Sequence, residues 1–194
     1  MNVTIKPIYG NWNQGFSLDK HIVRSTPVGH NEYGHMQFDT LRTDVGESVF
    51  QLKYRGDFSQ VGLLAQTVTS NLNRALAGVN FVSPMPASKI RQTQPVYEVA
   101  REVARLLGVS YVDNFIQKVK STSGMKDLGG RAERAEALQG CFAINDAALN
   151  DGRWHVLLID DLYDTGASLE AVCEVVRQSA KIWAVSVVTL TRRH

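Results

Sequence analysis

Val156-Leu157-Leu158-Ile159-Asp160-Asp161-Leu162-Tyr163-Asp164-Thr165-Gly166-Ala167-Ser168 is the stretch whose reading decides the fold. Its four opening apolar residues predict a strand covered on both faces, as in the middle of a parallel sheet. The strand is expected to end at Ile159, with two adjacent acids, a tight polar loop and then a helix. In that loop Thr165, Gly166, Ala167 and Ser168 turn successive backbone N–H groups and two hydroxyls toward a helix N-terminus. Unpaired amides and the positive end of a helix together favour an anion. The plain alternative is a strand followed by a helix that Asp164 or Thr165 merely caps.

Downstream, Leu169 to Arg177 reads as the helix and Ile182 to Leu190 as the next strand. Upstream, Val61, Leu64, Ala65, Val68, Leu72, Ala75 and Leu76 recur at helical spacing before Gly78, predicting a helix over Ser59 to Ala77. Val79 to Ser83 follows as a short strand stopped by Pro84 and Pro86. Pro95 opens a second helix whose buried face is Val96, Val99, Ala100, Val103, Ala104 and Leu107, and Gly108 closes it. Further strands are expected at Tyr111-Val112 and from Gly140 to Ile144. This βαβ rhythm predicts an α/β fold, a parallel sheet flanked by helices. Residues 1–55 lack a helical period and read as a small, mainly β or irregular appendage ending in a strand-like Ser48 to Tyr54. Residues 56–194 form the expected core.

Composition sets the outer limits. With 194 residues there is room for one α/β domain with a small appendage. Lys plus Arg total 21 against 19 Asp plus Glu, so the net charge of +2 shows no nucleic-acid-like excess, although charge alone does not remove that partner. No apolar run approaches the roughly 20 residues of a membrane span, and Met1 to Lys6 lack a signal peptide's apolar segment. A cytoplasmic protein without membrane contact is the expectation. Cys141 and Cys173 form no Cys-x-x-Cys pair and read as buried thiols. His21, His30 and His35 have spacings that match no helix face, which favours hydrogen-bonded or surface histidines over a metal site.

A phosphate cradle beside paired carboxylates suits a ligand with a phosphate at one end and hydroxyls or a metal at the other, as in a ribose 5-phosphate. The stretch resembles the ribose-phosphate signature of the type I phosphoribosyltransferases, which bind phosphoribosyl pyrophosphate (PRPP). The resemblance implies that fold, with the appendage as a hood. It also implies that Asp160 and Asp161 hold the ribose hydroxyls and orient Mg²⁺ indirectly, while Asp164, Thr165, Gly166, Ala167 and Ser168 hold the 5-phosphate of PRPP or of a nucleoside 5-monophosphate. Asp164 either caps the cradle or handles the acceptor's proton. Ala87, Ser88 and Lys89 fall at the place of the family's pyrophosphate loop. Lys118 to Arg131, with three glycines and three lysines, reads either as a flap bringing Lys126 and Arg131 over the substrate or as a solvated loop.

Within the type I group the order of pieces resembles the ComF (competence protein F) proteins: Gly46 with Leu52-Lys53-Tyr54, then Val82 to Pro86, then Arg134 with Gly140-Cys141-Phe142, then the double acid. Two departures stand out. No cysteine precedes Cys141, where ComF proteins carry a zinc cluster, and Ala137 replaces their asparagine. The implied function is transfer of ribose 5-phosphate from PRPP to a nitrogenous acceptor with release of pyrophosphate. The alternative is a non-catalytic PRPP- or nucleotide-binding module, regulatory or associated with DNA uptake, and a homodimer is open in either case.

Overall fold

The computed structural model describes residues 1–87, 92–120, 133 and 136–194. Its centre is a six-stranded sheet built from β1 (Lys6–Pro7), β2 (Gln14–Lys20), β5 (Phe81–Pro84), β6 (Ser110–Tyr111), β9 (Trp154–Tyr163) and β10 (Ile182–Arg192). The spatial order is β1-β2-β10-β9-β5-β6, and only the β1 edge is antiparallel. Two further ribbons lie outside this sheet: β3 (Ile22–His30) with β4 (Met36–Arg42), and β7 (Ile116–Lys118) with β8 (Phe142–Ile144).

Both faces of the sheet are covered, which is why β9 reads as an unbroken apolar run. On one face Leu157, Ile159, Val82, Val188 and Leu190 pack with α1 (Asp44–Phe50), α2 (Gln60–Leu72) and α3 (Pro95–Leu107). On the other, Val156, Leu158, Val185 and Val187 meet α4 (Ala167–Val176) and the β7–β8 region. α3 ends where its sequence says it should, with Pro95 at its first turn and Gly108 closing it with a left-handed φ of 68°, whereas α2 stops at Leu72, short of the expected Ala77, and the chain continues in turns. Cys141 and Cys173 are buried free thiols, and burial pushes the Cys173 thiol up to about 12.

Three expectations give way to a different arrangement. Ser48 to Tyr54 is not a strand: α1 runs into a π-helical turn, Gln51–Arg55. Thr43 caps α1 by accepting the Gly46 N–H at 2.9 Å, and Val45, Val49 and Leu52 fall on one buried stripe, so burial overrides the strand preference of Val and Phe. The first twenty residues do not stand apart as an appendage, because β2 lies beside β10 in the central sheet. Only the β3–β4 hairpin projects, and nearly every residue in it is exposed. Finally, β9 does not stop at Ile159 but stays paired with β10 as far as Tyr163. Glu136 and Ala137 are helical.

His21 sits at the foot of the hairpin and His30 at its tip, separated by the length of a nine-residue strand. At about 3.3 Å per residue that distance prevents the three histidines from converging on one ion.

Candidate functional site

Because β9 continues through the acids, Asp160 and Asp161 are strand residues at the carboxyl edge of a parallel sheet, where loops leave room for ligands. Alternation along the strand sends them to opposite faces. Asp160 continues the side of Val156 and Leu158, toward α4, and Asp161 continues the side of Leu157 and Ile159, toward α1 to α3.

On the α4 side the chain turns through Thr165 and Gly166 into the helix. Gly166 is required here: its φ is 81°, and an added Cβ would approach the Tyr163 ring at 3.1 Å. The first amides of α4 have no intrahelical acceptor, and the Ala167 N–H makes only a 3.4 Å contact with its own loop's Thr165 Oγ1. Asp160, Asp164, Thr165, Gly166, Ser168 and Arg193 all line the resulting cavity of about 440 Å³. Arg193 Nη1 donates to Asp164 Oδ2 at 3.0 Å. The sequence reading missed Arg193, since nothing in a terminal Arg-Arg-His reveals that β10 runs alongside β9 and delivers it there.

On the opposite side, Lys53 Nζ donates to Asp161 Oδ2. Both side chains are largely covered, at 25% and 16% exposure. A second cavity, about 90 Å³, opens here and shares Asp160 with the first; Lys53, Asp161, Ala87 and Tyr97 lie on its wall. The Ala87 backbone hydrogen-bonds the Tyr97 hydroxyl, although burial, the larger influence, holds that phenol above its ordinary value. Lys53 entered the sequence reading only through a resemblance, because its partner is 108 residues away.

Burial, and then the neighbouring Asp161 charge, push Asp160 up to about 7, against the opposing effects of the Asp161 N–H and the Lys53 ammonium. The Asp161 N–H donates to Asp160 Oδ1 at 2.8 Å. Asp160 and Asp161 are hard oxygen donors of the kind that could orient a divalent cation through its waters, and such a cation would relieve their repulsion. His21 lies close enough for Arg42, Lys53 and Asp161 to bear on it; burial first, then Arg42 and Lys53, hold it below its ordinary value.

The structure thus brings Asp160, Asp161, Asp164, Thr165, Gly166, Ala167 and Ser168 to one edge of the sheet, with Ala87 across the acids from the cradle. Ser88, Lys89, Lys126, Arg131 and Arg134 lie outside the described residues.

No protein-family model matches the sequence, and no curated protein matches it significantly. Among solved structures the chain is similar to adenine phosphoribosyltransferase from Leishmania tarentolae, with 10% identity, 97% of this chain and 94% of that chain covered, and a TM-score of 0.51. It is also similar to adenine phosphoribosyltransferase from Saccharomyces cerevisiae, at 16% identity, 88% and 84% coverage and a TM-score of 0.47. A hypoxanthine phosphoribosyltransferase from Staphylococcus aureus follows at 17% identity, 68% and 62% coverage and a TM-score of 0.40. The fold is therefore α/β, a mostly parallel sheet between two layers of helices. More narrowly, it is the type I phosphoribosyltransferase fold, matched along nearly the whole chain by the Leishmania structure. At such identity the likeness concerns fold, and function has to be argued from the site.

Proposed function

We propose that this protein binds PRPP with Mg²⁺ and transfers its ribose 5-phosphate to a nitrogenous acceptor, releasing pyrophosphate. The observation that carries the reading is that Asp160, at the end of β9, lines the same cavity as the first turn of α4, while its neighbour Asp161 lines the adjoining one. The loop amides and the Thr165 and Ser168 hydroxyls hold the 5-phosphate, and the two carboxylates accept from the ribose 2- and 3-hydroxyls. Asp160 and Asp161 would orient Mg²⁺ or its waters, and Mg²⁺ supplies neutralisation of the pyrophosphate charge.

In the transfer the bond from the anomeric carbon to the pyrophosphate oxygen breaks, and the oxygen keeps the electron pair. A bond from the acceptor nitrogen to that carbon forms, and the displaced proton passes to Asp164, next to the cradle. What this chain contributes is position and fixed charge: a clamped ribose leaves one face of the anomeric carbon open to attack. Lys126 and Arg131, if they close over the ligand, would exclude water that could capture the ribosyl cation-like transition state. Within this reading the order Leu52-Lys53-Tyr54, Val82 to Pro86 and Asp160-Asp161 supports a ComF-like subtype.

Calorimetric titration with PRPP and Mg²⁺, followed by a pyrophosphate-release assay over a panel of bases and amines, tests it. Saturable binding is expected, and Thr165→Ala with Ser168→Ala should weaken it by at least about tenfold, since charge-assisted hydrogen bonds contribute roughly 1.5 to 3 kcal/mol each. Unchanged affinity in that double variant would remove the phosphate from the cradle. Tight binding with no release on any acceptor would convert the enzyme into a PRPP-binding module.

A further inference from the structure

The acid pair divides two cavities, and each has its own electropositive feature. On the α4 side it is the helix N-terminus together with Arg193, which is paired with Asp164. On the α1 to α3 side it is Lys53, which shares its cavity with Asp160, Asp161, Ala87 and Tyr97. We propose that Lys53 is the residue through which the site recognises a second anionic group on the ribose, so that it distinguishes a ribose 5-phosphate carrying a diphosphate from one that lacks it. This rests on the reading of the cradle as the 5-phosphate site.

Val45, Val49 and Leu52 are buried at 0%, 2% and 2% exposure and fix α1 and the following π-helical turn against the sheet. A π turn inserts a residue into the helical register and re-aims the side chains after it, a device frequent at functional sites. Here it sets Lys53, next to the buried Leu52, over the carboxyl edge of β9, while the Phe50 and Tyr54 rings, 5.4 Å apart, pack on the same turn. A ligand with its phosphate in the cradle and its sugar hydroxyls on the acids has its remaining substituent beside the acid pair. A neutral hydroxyl there accepts at most one ordinary hydrogen bond from an ammonium, whereas a diphosphate accepts a stronger, doubly charge-assisted one. An ammonium donates in three directions, so pairing with Asp161 and contact with a ligand oxygen are compatible. Coupling through Asp161 also ties the cation to the groups that hold the sugar, so the anion is met at a fixed distance from the ribose.

The test compares ligands that differ only in that substituent. PRPP and ribose 5-phosphate are titrated calorimetrically, with Mg²⁺, into wild type, Lys53→Ala and Lys53→Met, the last keeping the apolar stem should the alanine variant fail to fold. Loss of Lys53 is expected to weaken PRPP by about tenfold or more and ribose 5-phosphate by less than about twofold, one charge-assisted contact being removed from only one of the two. Equal losses for both ligands would overturn the inference and leave Lys53 as a residue that only positions Asp161. No loss for either would overturn it as well. Wild-type protein that binds neither ligand would overturn the cradle reading first and this inference with it, so the two failures are told apart.

Discussion

Asp160 is where stability and ligand binding are set against each other. Its folded-state pKa lies above the value near 3.9 that the unfolded chain would show. Between about pH 4 and pH 7 the folded protein therefore keeps a proton that the unfolded chain has released, and stability falls as pH rises through that window. Above it the full penalty of a half-buried, repelled carboxylate persists. Asp160→Asn removes the charge and keeps the shape. In EDTA and without ligand, the variant should melt higher than wild type at pH 8 by about 1–2 kcal/mol, roughly 2–8 °C for a domain of this size, and should converge with wild type near pH 4. The same variant should bind PRPP at least about tenfold more weakly, because an amide is a poorer acceptor for ribose hydroxyls. Circular dichroism melts at the two pH values and one titration suffice; a variant less stable at pH 8 would show that burial at this edge is not a strain.

At the scale of elements, legibility followed contiguity and apolar period. β9, its turn and α4 lie in one stretch, so that strand, turn and helix could be read directly, and α2 and α3 announce themselves by buried residues at helical spacing. β2 did not. Gln14-Gly15-Phe16-Ser17-Leu18-Asp19-Lys20 buries Ser17, Leu18 and Asp19 at 0%, 0% and 7% exposure, with Thr189 opposite Ser17 and Thr191 opposite Asp19 on β10, so much of the interior of this pair is polar. A polar interior leaves no alternation in the sequence to find. The Lys53 to Asp161 pair is hidden for another reason, being long-range. The polar interior carries its own prediction. Arg192 Nη2 lies 3.9 Å from Asp19 Oδ1, and the side chains are 4% and 10% exposed. Burial holds the guanidinium below its ordinary value while Asp19 opposes the shift. Asp19→Ala leaves a buried guanidinium without its counter-charge and should cost about 3 kcal/mol in urea unfolding. Adding Arg192→Met should recover at least half of the loss, since breaking such a pair is worse than replacing it.

Across the whole molecule the sheet, with its two helical layers, and the β3–β4 hairpin differ in kind. No helix among the described residues is long and apolar enough to cross a membrane. The hairpin leaves apolar surface open: Val28, Tyr33 and Phe38 are 62%, 76% and 57% exposed. A two-stranded ribbon is at best marginal by itself in water, so its order is inherited from its base rather than supplied to the core. That base is closed by elements that remain without the ribbon. Thr43 Oγ1 donates to Lys20 O at 2.5 Å, and the His21 N–H donates to Arg192 O at 2.9 Å. Ile22 pairs directly with Arg42. Joining those two paired residues through an Asn-Gly turn, with Val23 to Leu41 deleted, matches the geometry of a two-residue hairpin loop. The shortened chain should fold, with a thermal midpoint within about 4 °C of wild type, because the deletion removes little buried apolar surface. The PRPP affinity should stay within about twofold, since neither the cradle nor the acids draw a residue from the ribbon. A shortened chain that fails to fold, or that loses its cooperative melt, would mean that the hairpin is structurally part of the core.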